Sequence, residues 1–190
     1  GDMLRAYKNP SSCSYELEEN AKEGPSSPKA ATSGKGSKEG PGKSESIATA
    51  SNVTGGNQAW SGFSSITKED GTAVTTASLS SAQTTQNLRI TGFSLKINDN
   101  FVSGASVTIQ GITAKIVRKS SAASSIQDNS IRLVKAGSVV GSNLATTSNW
   151  PTSFGTATYG SSSNLWGTTW TAADLNASNF GINIQAKQVA

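Results

Sequence analysis

Residues 88–97 read Leu88-Arg89-Ile90-Thr91-Gly92-Phe93-Ser94-Leu95-Lys96-Ile97. Apolar and polar residues alternate with a period of two, which suits a half-buried strand and not a helix. The phase slips by one at Thr91-Gly92, as a glycine bulge would cause. The pattern recurs in Val107 and Ile109, then Ile112, Ala114 and Ile116, with Gly111 at the break. Two bulged strands predict a curved sheet. Working outward, residues 47–53 read as a first strand, and residues 63–66 and 74–79 flank Asp70-Gly71 as a hairpin. Residues 130–134 and 138–140 flank Lys135-Ala136-Gly137 as a second hairpin with glycine in the turn. Phe180, Ile182 and Ile184 mark a closing strand. Thr171 to Leu175 predicts the domain's one short helix, with Thr171 as cap and Asp174 returning the bond. About eight short, regularly spaced strands predict an all-β fold, an antiparallel β-sandwich of jelly-roll type.

Composition agrees with this reading. The 190 residues include 32 Ser, 20 Thr and 19 Gly, and only 34% are hydrophobic, which favours strands and turns over helices. Length predicts one folded domain. With no His and one Cys, the chain lacks the parts of a Ser-His-Asp triad, a Cys-His pair or the usual zinc site, and it cannot form an internal disulfide. No apolar run is long enough to span a membrane, and the opening Gly1-Asp2-Met3 does not begin a signal peptide. We expect a chain that is soluble as written, with no metal, no cofactor and no enzymatic activity.

The composition changes at residue 46. Residues 1–46 contain four of the five Pro, many Lys and Glu, and no Val, Ile or Phe. Such a segment cannot bury enough surface to offset chain entropy and reads as an extended, flexible N-terminal arm. Residues 47–190 then form the sandwich. Within the arm, residues 15–23 predict one or two helical turns, supported by Glu18 and Lys22 four apart.

Several residues invite chemical readings. The carboxylates after residue 46 are Glu69, Asp70, Asp99, Asp128 and Asp174. A glycosidase pair from Asp99 and Asp128, or calcium binding by Asn98-Asp99-Asn100 and Gln127-Asp128-Asn129, competes with the simpler reading as turn residues, and the turn reading is preferred. Arg89, Lys96, Lys115, Arg118, Lys119, Arg132 and Lys135 lie in the central strands as the expected outward half of the alternation. Of these, Lys115, Arg118, Lys119, Arg132 and Lys135 form the candidate basic contact face. Aromatic residues are not interleaved with them, which argues against nucleic acid. Trp60, Trp150, Trp166 and Trp170 are read either as core and edge packing or as platforms for a glycan.

The run Trp150-Pro151, then Ala157-Thr158-Tyr159-Gly160, then residues 165–181 beginning Leu165-Trp166-Gly167, resembles the closing part of a β-sandwich domain of tailed-phage virion proteins and some secreted microbial proteins. Residues 48–52 and the strand Ile109-Gln110-Gly111-Ile112 fit as well, so the resemblance spans about residues 47–187. It implies a bacteriophage structural protein of the virion, with no catalytic residues. A capsid decoration or cement protein, or a fibre-base protein, is expected. Its arm, reaching on the order of 150 Å at full stretch, would anchor it to capsid or other virion subunits, in a homo-oligomer or lattice. The alternative is a receptor- or carbohydrate-binding adhesin module, secreted or at the cell surface, that binds a cell-surface glycan through an exposed Trp.

Overall fold

The computed structural model describes residues 2–7, 21–23, 49–63, 73–93, 95 and 107–189. Among them are twelve strands and one helix: β1 Asp2–Tyr7, β2 Ala21–Glu23, β3 Thr49–Val53, β4 Trp60–Ser61, β5 Val74–Leu79, β6 Asn87–Thr91, β7 Val107–Ile109, β8 Ile112–Ser120, β9 Ile126–Lys135, β10 Ser138–Val140, β11 Gly155–Ser161, α1 Ala172–Asn176 and β12 Gly181–Gln188. The fold is all-β, and the paired strands run antiparallel. One five-stranded sheet has the order β11-β8-β1-β5-β4, a second β10-β9-β12-β6-β3, and β2 pairs with β7 apart from both.

Both large sheets contribute to one core. Ile112, Ala114, Ile116 and Tyr159 come from the first, and Leu88, Ile90, Ile131, Leu133, Ile182 and Ile184 from the second. Each fully buried Leu or Ile stabilises the fold by about 1.5–3 kcal/mol. The alternation that predicts β8 is seen in Ile112, Ala114 and Ile116, which are buried while Thr113 and Lys115 are half-buried. At the β9–β10 hairpin, Ser138 faces Lys135, so Ala136-Gly137 is a two-residue turn. Both residues have positive φ, 55° and 84°, the requirement of a type I′ turn. Helix α1 carries the expected capping box: Thr171 Oγ1 accepts from the Asp174 amide and Asp174 accepts from the Thr171 amide.

The structure departs from the sequence reading in several places. Gly92 has a positive φ of 81° but follows the last paired residue of β6, so the phase slip marks the chain leaving the sheet and not a bulge. Gly111 separates β7 from β8, which lie in different sheets. Glycine is needed there because a Cβ would come within 2.4 Å of the Ser161 carbonyl oxygen. A bulge lies instead in β9, where Gln185 and Ala186 of β12 face Ser130 and Asp128, leaving Asn129 as the extra residue, and the β1–β5 register also shifts between Asp2 and Leu4. Ala21–Glu23 is a strand, not the end of a helix, because its backbone completes a ladder with β7. Asp2–Tyr7, expected in a free arm, lies between β5 and β8 and pairs with both. The lack of Val, Ile and Phe is no obstacle, because the ladder is made by the main chain and Met3, Leu4, Ala6 and Tyr7 are apolar. The Asp70-Gly71 turn, Glu69, Lys96 and Asp99 lie outside the described residues.

Candidate functional site

The densest polar grouping among the described residues is inside the protein. Arg118 stands on β8 in phase with Ile112, Ala114 and Ile116, so the strand that builds the core also turns this guanidinium inward. Asp128 stands on β9 in phase with Ile126, just before the bulge at Asn129. The bulge lets Ile131 and Leu133 return to the core in the opposite phase. Tyr159 comes from β11, whose register places it opposite Ala114. Trp150 and Thr146 come from the segment between β10 and β11.

Arg118 Nη1 donates to Asp128 Oδ1 at 2.8 Å and to the Tyr159 hydroxyl at 2.6 Å. Tyr159 in turn donates to Asp128 Oδ2 at 2.8 Å. The Trp150 indole N–H donates to Oδ1 at 2.9 Å, and the Thr146 amide to Oδ2 at 3.2 Å. The guanidinium also lies over the Trp150 ring, 5.4 Å from its centroid. The Asp128 side chain has 0% exposure and the Arg118 side chain 8%, so the pair is out of water. Asp128 accepts four bonds, about what a carboxylate can take. Burial, and then the charge of Asp128, push the Tyr159 hydroxyl well above the ordinary tyrosine range, while Arg118 opposes them.

This arrangement joins the two sheets, since Arg118 and Tyr159 belong to one and Asp128 to the other. It can hold a sheet-to-sheet distance and a register. With its lone pairs engaged, Asp128 is not placed to ligate calcium or to act with a second carboxylate. It is a strand residue and not the expected turn residue. Arg118 likewise corrects the expectation that the basic residues all face outward. The signal was present in both cases, because each residue keeps the phase of a neighbouring Ile. Tyr159 gave no comparable signal as a partner.

The other candidate residues are dispersed. Lys115 and Lys119 lie on β8, whereas Arg132 and Lys135 lie on β9 in the other sheet, so the five basic residues do not share one face. All four of these side chains are half-buried. Lys119 Nζ lies 5.1 Å over the Phe154 ring. Arg132 donates twice to the Gly141 carbonyl. Lys135 donates to the Thr169 carbonyl and lies 4.9 Å over the Trp170 ring. Trp60, Trp150, Trp166 and Trp170 are between 0% and 6% exposed. Each indole N–H has an acceptor: the carbonyls of Gln86, Ile112 and Leu165 for Trp60, Trp166 and Trp170, and Asp128 for Trp150. A buried indole with a satisfied N–H packs a core and presents no ring face to a sugar. No helix among the described residues is long and apolar enough to cross a membrane.

Comparison with protein-family models, with curated proteins and with solved structures returns no match.

Proposed function

We propose that the chain is a non-enzymatic structural protein of a phage virion, a capsid decoration, cement or fibre-base protein. Its β-rich domain has the jelly-roll sandwich character that the resemblance at residues 150–181 implies, and residues 1–46 carry attachment to neighbouring subunits. The observation that supports this best is β1. A segment without Val, Ile or Phe enters a sheet between two strands using main-chain bonds, so the same segment has the capacity to add to sheets in an assembly. Two further features support a structural role. Asp128 and Asp174, the described carboxylates after residue 46, are committed to internal bonds. The four Trp are committed to packing, which favours decoration over the adhesin alternative.

The test is mass spectrometry and immunoelectron microscopy of purified particles from the phage that encodes the chain. The expected result is many copies per particle, at the head surface or fibre base, which are lost when residues 1–46 are deleted while the deleted protein is kept folded by a peptide of residues 1–12 in its β5–β8 slot. Absence from the particle would overturn the reading. Binding of the isolated protein to a cell-surface glycan, abolished by changing an indole without unfolding, would put the adhesin in its place.

A further inference from the structure

We propose that β1 is a donor strand that copies of this chain exchange, so that Asp2–Tyr7 of one copy fills the β5–β8 slot of the next. Four observations lead there. First, β1 is central in its sheet although it comes first in the chain. The order β11-β8-β1-β5-β4 falls into two separate pairs, β11-β8 and β5-β4, if β1 is withdrawn. Second, the slot makes demands. Leu4, Arg5, Ala6 and Tyr7 pair with Ser120, Lys119, Arg118 and Val117 of β8, the stretch that also holds the buried Arg118, while Arg5 and Ala6 pair with Thr75 and Val74 of β5. Left empty, it would expose two unpaired edges to solvent or to any available strand.

Third, the ladder is made here within one chain, but its main-chain bonds are indifferent to the copy that supplies the strand. An exchanged arrangement makes the same bonds as the internal one and differs only in the connecting segment. Fourth, that segment is long and has few residues suited to a core. Residues 8–48 separate β1 from β3 and include one Ile, at position 47, and no Val or Phe. Fully extended they span about 140 Å. With β2 still paired to β7, the thirteen residues 8–20 alone reach about 45 Å.

Magnitudes decide when exchange wins. A tether of this length holds its own strand at an effective concentration on the order of millimolar. In dilute solution the internal strand therefore prevails. Copies packed a few tens of ångströms apart on a particle present neighbouring strands at a similar concentration, and there the two arrangements compete evenly. The proposal rests on the virion reading only for that crowding; the exchange itself is a property of the isolated protein.

The experiment uses the full chain with Cys13→Ser. One preparation carries Arg5→Cys and a differently isotope-labelled one carries Thr75→Cys, because positions 5 and 75 are partners in the ladder. They are unfolded, mixed, refolded together and oxidised. Disulfide-linked peptides joining positions 5 and 75 of differently labelled copies are expected. Their yield should rise about tenfold for each tenfold increase in protein concentration up to about 1 mM. The double variant, Arg5→Cys with Thr75→Cys, should cross-link within one chain at micromolar concentration. Cross-linking only within the double variant, at every concentration, would overturn exchange and leave the virion reading untouched. No cross-link in either preparation would overturn the slot assignment itself. Absence of the protein from virions, with exchange intact, would overturn only the virion reading.

Discussion

Asp128 and Arg118 are the residues on which the interior chemistry turns. Truncating one partner leaves the other charge buried without compensation, so Asp128→Ala should cost about 3–5 kcal/mol in denaturant unfolding. Arg118→Met combined with Asp128→Leu should cost less than the sum of the two single changes, which a double-mutant cycle measures. A cost for Asp128→Ala below about 1 kcal/mol would mean that the pair is not desolvated. Tyr159 supplies a second, pH-dependent check. Its folded-state value is raised, so its contribution is fully present below the ordinary tyrosine value of 10.0 and is lost as pH rises beyond it, when the unfolded chain ionises first. Stability should therefore fall above about pH 10 by up to about 1.4 kcal/mol per pH unit from this group. Tyr159→Phe should remove that part of the slope, while costing about 1–3 kcal/mol at pH 7 because Asp128 loses a donor. Parallel unfolding curves of the two proteins from pH 8 to 11 would separate this from lysine titration.

At the scale of elements, the β9–β10 turn carries a correctable strain. Ala136 holds a left-handed φ of 55°, which disfavours a residue with a Cβ by about 1–2 kcal/mol. Ala136→Asn or Ala136→Gly should raise stability by about 0.5–1 kcal/mol, read as a higher thermal midpoint. Helix α1 is only five residues long, and its capping box satisfies two terminal amides. Thr171→Ala should therefore cost about 1 kcal/mol by the same measurement. These two elements were legible in advance because turn and cap chemistry is local: Ala136-Gly137 and Thr171 with Asp174 act within four residues of each other. The β9 bulge has no such local signature. Its phase slip, from Ile126 to Ile131 and Leu133, is carried by Asp128, a residue that does not look apolar.

For the whole molecule, β1 changes what removal of residues 1–46 should do. A free arm could be cut away without effect on the domain, but a strand between β5 and β8 could not. Deletion of residues 1–7 should lower the denaturation midpoint and promote self-association at the opened edges, seen by size-exclusion chromatography. A synthetic peptide of residues 1–12 should restore the midpoint, and an unchanged midpoint in the deleted protein would remove β1 from the sheet. The amino-acid sequence by itself determined the all-β character, the turn between β9 and β10 and the capped helix. Period-two alternation, turn glycines and capping residues act over a few neighbours and need no other part of the chain. Only the tertiary structure decided that Arg118 meets Tyr159 across 41 residues, that the four indoles lie inside, and that Asp2–Tyr7 joins β5 and β8. The physical reason is that ladder hydrogen bonds are the same for every strand, so a local pattern announces a strand without naming its partner. A buried charge is likewise recognised only when the residues that compensate it have been brought together.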